Sequence, residues 1–462
     1  MDCGLIFQGT QSAICNPNLK AFLKSLYLSR RFFGALGGVV LLFVGGYVAP
    51  VLAAVARVGL LALAVLLALD VLALYRTKQG LRARRTTPER FSNGDDNELR
   101  IHVANVYPFP VRATIIDELP FQFQIRDARH RLTVPPGEEK TVRYTVRPVE
   151  RGAYGFGALN VYARSVLGLA SRRYRFDEGR EVPVYPSYLQ MRRYELLAIS
   201  NRLEEVGVKK LRRLGHTMEF DHVRDYVLGD DPRTINWKAT ARRATVMVNQ
   251  YRDERAQPVY CVIDMGRVMK MPFDGMTLLD YSINASLVLA NIALLKQDRA
   301  GLVTFSHEIG AVLPAERKSG QIYKIQEVLY KVETDFLESD YERLAAHLRR
   351  RLRGRSLVVL FTNFETRSSM QRQLPYLRAL ARQHVVVAVF FENTELRALL
   401  QTTPQNTEDI YIKTIAEKFA FEKREIVKDL SRHGIQSILT APAQLSVNTI
   451  NKYLELKARG MV

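Results

Sequence analysis

Side chains able to move protons or hold an ion are few and fall into small groups. Asp230 and Asp231 are adjacent carboxylates, the material of a general acid/base pair. They sit in Gly229-Asp230-Asp231-Pro232, a turn signal, with Arg233 following at once. Capping and ion pairing explain them without proton transfer. Asp231 can accept from the free donors of a helix start, and Pro232 has no donor to lose there. His216 and His222 lie six residues apart with no cysteine or acid arranged as a ligand set, so both are read as structural or exposed. There is no Walker-type lysine loop for nucleotide phosphates and no nucleophile on a recognisable elbow. The chain is therefore read as a non-enzyme that needs no cofactor, with an unrecognised hydrolase as the residual catalytic alternative.

The acids belong to residues 220–243, FDHVRDYVLGDDPRTINWKATARR, which hold the only tryptophan. Arg224, Asp225, Tyr226, Gly229, Asp230, Asp231, Arg233, Trp237, Lys238 and Arg242 are expected to form a latch pinned between two globular bodies by paired charges and a buried indole. Under that reading Trp237→Ala costs roughly 3 to 5 kcal/mol. The alternatives are a surface turn with scattered ion pairs, each worth about 0 to 1 kcal/mol, and a catalytic site.

The elements around this stretch follow from length and patterning. A chain of 462 residues with net charge +20 is long enough for about three domains. The basic excess fits nucleic acid or the anionic cytoplasmic face of a membrane. Three cysteines, Cys3, Cys15 and Cys261, lack zinc spacing and fit a reducing compartment. Residues 1–31 form a leader. Residues 32–75 hold two apolar runs, each near the roughly 20 residues that cross a bilayer, and are read as a transmembrane hairpin rather than a cleaved signal. Lys20, Lys24, Arg30 and Arg31 precede the hairpin and Arg76, Lys78, Arg82, Arg84 and Arg85 follow it. The connection between the runs offers only Arg57, so both ends are expected in the cytoplasm, at the bacterial inner membrane. Asp70 is read as a carboxylate reaching the headgroups, with an intramembrane functional acid as the other reading.

Residues 97–185 alternate apolar and polar positions, as at Leu99, Ile101 and Val103, between proline and glycine turns, and predict an antiparallel β-sandwich. Residues 186–256 form a basic connector carrying the signature, its most charged part being 209–213. Residues 257–462 alternate strand-like and helix-like segments. The apolar runs 356–361 and 384–391 suit buried parallel strands, so a doubly wound α/β domain is predicted.

The motif Arg224-Asp225-Tyr226, Gly229-Asp230-Asp231, Arg233, Ile235, Trp237-Lys238 and Ala241-Arg242 resembles the signature of the bacterial family called domain of unknown function 58. The order of parts, including Arg-Gly-x-Tyr at residues 151–154, extends that resemblance over nearly the whole chain. The resemblance implies a final domain similar to von Willebrand factor A and an association with MoxR-type AAA+ ATPases. Such domains hold Mg²⁺ through Asp-x-Ser-x-Ser, a Thr and an Asp, because the ion wants six hard oxygens. Here the resemblance places Asp264, Gly266, Val268, Thr334 and Asn363 at those positions. Gly266 and Val268 carry no oxygen, Asn363 lacks the charge, and Arg267 puts a cation nearby, so the metal site is read as degenerate. The leading expectation is a membrane-anchored cytoplasmic adaptor or scaffold that docks protein partners. The alternative is charge-driven binding of nucleic acid or anionic lipid through Lys209 to Arg213 and Arg242-Arg243.

Overall fold

The computed structural model describes residues 22–125, 128–176, 179–199, 207, 219–252, 256–273, 275–401, 404 and 406–461. Expectations resting on Cys3, Cys15, Lys20, His216 and residues 209–213 lie outside the described residues. The chain divides into two compact units. The first takes the described residues up to Phe91, then Asp96–Pro148 and Gly152–Val184. The second takes Ser92–Asp95, Val149–Arg151 and Tyr185–Val462.

In the first unit, strand β1 (Leu26–Leu28) leads through Ser29 into helix α1 (Arg30–Gly45). The Ser29 hydroxyl caps that helix by accepting from Phe32 N at 3.3 Å. Helix α2 (Pro50–Arg76) starts on a proline, which loses nothing in a first turn. Helices α1 and α2 pack together, with Val39 and Ala56 buried, and otherwise turn apolar residues outward, among them Leu41, Val44, Val51, Val58 and Leu61. By length and composition α2 can cross a membrane, with mean hydropathy 2.5. Helix α1 has 16 residues, short of the roughly 20 expected for a span.

The strands that follow are β2 (Leu81–Thr86), β3 (Phe91–Ser92), β4 (Asn97–Asn105), β5 (Val111–Asp117), β6 (Arg129–Val134) and β7 (Glu139–Val146). After them come β8 (Gly152–Phe156), β9 (Leu159–Arg164), β10 (Ala170–Phe176) and β11 (Arg180–Tyr185). They form antiparallel sheets in the orders β1-β10-β9-β5-β6 and β2-β4-β7, with a smaller one, β3-β11-β8. The period-two pattern does what it predicts. Ile101 and Val103 of β4 share a core with Val111 and Ile115 of β5 and Val161 of β9, and the last turns of α2 enter it through Leu74.

Asp70 departs from expectation. It is fully buried and accepts from Ser165 Oγ and from the N–H groups of Leu169 and Ala170, both at 2.8 Å. A carboxylate that satisfies three donors inside the unit does not reach for headgroups. It ties α2 to the start of β10.

The second unit contains α3 (Tyr188–Ile199), the antiparallel pair β12 (Glu219–Asp225) and β13 (Met247–Arg252), and α4 (Trp237–Arg243) between them. Next come β14 (Pro258–Asp264), the short pair β15 (Pro272–Phe273) and β16 (Met276–Thr277), and α5 (Leu278–Leu295). They are followed by β17 (Arg299–Phe305), β18 (Ile309–Glu316), α6 (Gln321–Tyr330), α7 (Tyr341–Arg351), β19 (Leu357–Phe361) and α8 (Arg367–Ala381). The unit closes with β20 (Val385–Phe391), α9 (Thr394–Gln401), α10 (Thr407–Arg432), β21 (Gln436–Thr440) and α11 (Leu445–Ala458). The sheet order is β18-β17-β14-β19-β20-β21, parallel except for β18 at one edge. Central strands β14, β19 and β20 are buried on both faces, as their unbroken apolar runs require. One face carries α3, α5, α6 and α11 and the other α7, α8 and α10. Helix α5 also has the length and hydropathy of a span, but 83% of that window is buried, so it is a core helix.

The most strongly held charge of this unit is Arg151. Its Nε donates to Asp280 Oδ1 at 2.7 Å, and its other nitrogens donate to the carbonyls of Leu329 and Val332. Thr277 Oγ1 donates to the second Asp280 oxygen at 2.6 Å. A buried pair is tolerable when its remaining lone pairs and protons are satisfied in this way.

Candidate functional site

The signature stretch folds as a hairpin with local, self-contained bonding. Arg224 grips Asp230 with both terminal nitrogens, at 2.9 and 2.7 Å, and Val227 N adds a third bond at 2.9 Å. The Arg224 guanidinium, then that N–H, hold the Asp230 carboxyl below its usual range. Asp231 accepts from Arg233 N at 3.0 Å and so caps the short turn that begins on Pro232, as predicted. Gly229 has φ +110°, a value open to glycine and strained for other residues. Asn236 caps α4 by accepting from Ala239 N at 3.0 Å, and Tyr226 N donates to Val246 O at 2.8 Å.

The expected latch is corrected at its centre. Trp237 is 71% exposed, and Leu228, at the turn, is 98% exposed. Among the described residues, Arg233, Lys238 and Arg242 have no ion-pair partner, and Asp225 is exposed. The physical reason is local. Helix α4 has only seven residues and buries none of them, so the indole at its first position finds no apolar wall. The paired charges expected of this stretch reduce to Arg224 and Asp230, while the buried ion pairs, among them Arg85–Asp117, Arg151–Asp280 and Lys457–Asp298, lie outside it.

A second cluster gathers at the carboxyl ends of the parallel strands. Asp264, the last residue of β14, is fully buried. Its Oδ1 accepts from Ser339 Oγ and from Gly266 N at 2.9 Å, and its Oδ2 from Thr362 Oγ1 at 2.7 Å and Tyr341 OH at 3.3 Å. Burial pushes the Asp264 carboxyl above its usual range, and these donors offset part of the rise. A Cβ built on Gly266 would stand 2.2 Å from Ser339 Oγ and 3.0 Å from Leu337 O.

The residues that the family resemblance places at Mg²⁺ positions offer that ion a poor oxygen set. Gly266 and Val268 supply no side-chain oxygen, and Asp264 is already met by Ser339, Gly266, Thr362 and Tyr341. Thr334, expected as the second-loop hydroxyl, instead accepts from Phe336 N at 3.4 Å, and Ser339 occupies the role beside Asp264. Asn363 is turned toward Lys423, whose Nζ donates to Asn363 Oδ1 at 2.8 Å and to Phe364 O. Arg267 is exposed and is not among the groups bonded to Asp264.

Lys423 lines an open groove of about 830 Å³ with Met271, Phe273, Phe391, Leu396 and Phe419. Burial pulls its ammonium down to about 8. Beside the groove, α10 leaves Ile410, Tyr411, Ile415 and Phe421 exposed. Ser339, Tyr341, Thr362 and Lys423 were not singled out by sequence. Thr362, directly before Asn363 at the end of an apolar strand, is the one with a readable signal.

Residues 222–410 match the model of a family described as Protein of unknown function DUF58. The chain is similar to the uncharacterized protein YeaD of Bacillus subtilis (strain 168), 27% identical over 202 residues. That covers 42% of this chain and 50% of YeaD, so the chain spans about half the length of the curated relative it matches. Among solved structures, the ASH/PapD-like domain 7 of human CEP192 is 13% identical over 23% of this chain and 87% of that one, with TM-score 0.18. The CARDB domain of the PF1109 protein from Pyrococcus furiosus is 15% identical over 23% of this chain and 93% of that one, with TM-score 0.17. Likenesses that weak carry no argument. The match to the DUF58 family model starts in β12 and ends in α10, and so takes in both the exposed hairpin and Asp264.

Proposed function

We propose that the protein is a membrane-anchored adaptor that docks another protein through its signature hairpin. The observation that carries this reading is the exposure of Leu228 on the turn held by Arg224 and Asp230 and of Trp237 at the start of α4, in a segment whose Arg233, Lys238 and Arg242 are also exposed. Large apolar side chains that stay in water mark interaction sites, and tryptophan and arginine dominate interface energetics. Helices α1 and α2 are the anchor in this reading, since outward apolar side chains on both suit lipid better than water. Basic residues flanking α1 and α2 support cytoplasmic ends under the positive-inside rule. The second unit is read as similar to von Willebrand factor A, by its strand order and carboxyl-end Asp264, with the metal set replaced by a hydroxyl cage. Partners of the MoxR-type AAA+ class follow from the family resemblance alone.

The test is purification of the full chain from detergent-solubilised membranes, with and without Trp237→Ala. Under this reading a stoichiometric protein partner accompanies the wild type and is lost from a variant that melts at the same temperature. Retention of the partner by that variant sinks the reading.

A further inference from the structure

The first unit contains a pocket of about 670 Å³ whose described lining residues include six arginines, Arg30, Arg31, Arg112, Arg129, Arg131 and Arg164, and no acid. Four of them lie on one face of three adjacent strands. Arg112 of β5 stands directly opposite Arg164 of β9, while Arg131 of β6 stands opposite Thr114, diagonal to Arg112. Like charges placed directly across a ladder are destabilising. Among the described lining residues, no carboxylate stands with Arg112 and Arg164. The nearby acid, Asp70, is already engaged by Ser165, Leu169 and Ala170.

The geometry points to a binding site for the phosphate of an anionic phospholipid headgroup. This rests on the proposed membrane hairpin and adds a ligand to it. Arginine forks match phosphate oxygens bidentately, which suits a cluster of this kind. The volume falls in the range of organic ligands and exceeds what a lone phosphate fills. Position selects lipid over free anion. Arg30 and Arg31 are the first residues of α1, where the apolar run begins, and Ser165 is bonded to Asp70 of α2. The loop bordering the pocket exposes Val166 and Leu167, side chains suited to a bilayer boundary.

The test uses the full chain in phosphatidylcholine nanodiscs, with and without phosphatidylglycerol, followed by thermal melting. The wild type should melt roughly 5 °C higher with phosphatidylglycerol when the lipid is about a hundredfold above its Kd. The gain should vanish in R112Q/R164Q and survive in R242Q/R243Q. Thr133→Glu, which sets a carboxylate opposite Arg112, should raise the melting point in phosphatidylcholine alone and also abolish the lipid gain. An equal gain from inorganic phosphate would overturn the lipid assignment, and a gain that persists in R112Q/R164Q would overturn the pocket. An alkaline wash of native membranes reports the hairpin separately. A chain that stays membrane-bound but shows no lipid gain sinks the pocket alone, whereas a chain that washes off sinks the hairpin.

Discussion

Adding a single carbon at Gly266 should damage the protein. Gly266→Ala puts a carbon 2.2 Å from Ser339 Oγ, 3.0 Å from Leu337 O and 3.1 Å from Asp264 Oδ1. The Ser339 side chain can turn away, but Leu337 O is backbone and cannot move alone. Turning Ser339 away breaks its bond to Asp264, a loss of about 1 to 3 kcal/mol for a buried acceptor. Overpacking adds about 1 to 3 kcal/mol. The sum, about 2 to 6 kcal/mol, corresponds at its centre near 4 kcal/mol to a fall in melting temperature of roughly 8 to 16 °C for a domain of this size. Circular dichroism is the readout, because the lone tryptophan is exposed on the hairpin and reports little of the core. Ser339→Ala should cost less alone, and the double variant should cost clearly less than the sum, since both changes remove one bond. Additive costs, or a Gly266→Ala variant that melts within about 2 °C of wild type, would refute the cage.

Other perturbations separate the remaining parts. Asp70→Ala strands the Ser165 hydroxyl and two backbone donors in a buried place, so it should cost about 3 to 5 kcal/mol by thermal melting, and Asp70→Asn should recover part of that. Trp237→Ala should change stability by no more than about 0.5 kcal/mol, because the indole is exposed. Lys423 loses its proton near pH 8 in the folded chain and near 10.4 when unfolded. Between those values the unfolded chain binds one proton more, so stability rises with pH across the window, by at most about 3 kcal/mol. A Lys423→Met variant should lack that slope, and parallel melting curves for the two would contradict the buried ammonium.

Much of the second unit was legible because its strands are buried on both faces and its helices bury one. The apolar runs 356–361 and 384–391 become β19 (Leu357–Phe361) and β20 (Val385–Phe391), within one residue of the expected bounds. The period-two strand at Leu99, Ile101 and Val103 is legible because it buries one face and exposes the other. Burial of a single aromatic was not legible. Trp237 sits among apolar and charged neighbours in sequence, yet a seven-residue helix between two strands has no partner wall to bury it. Long-range hydroxyl cages were also hidden. Ser339, Tyr341 and Thr362 reach Asp264 from 75 to 98 residues away, and serine or threonine in a loop carries no signal of that distance. Asp70 was misplaced because its donors lie on a distant loop and not in its own helix.

The central claim is that the exposed hairpin meets another protein at the membrane. A photo-crosslinking amino acid at Leu228, activated in intact membranes, measures this directly, with exposed Glu138 as the control position. The account predicts a covalent adduct to a second, distinct polypeptide from position 228 and none from position 138. Adducts only to lipid, to this chain itself, or equally from both positions would contradict it.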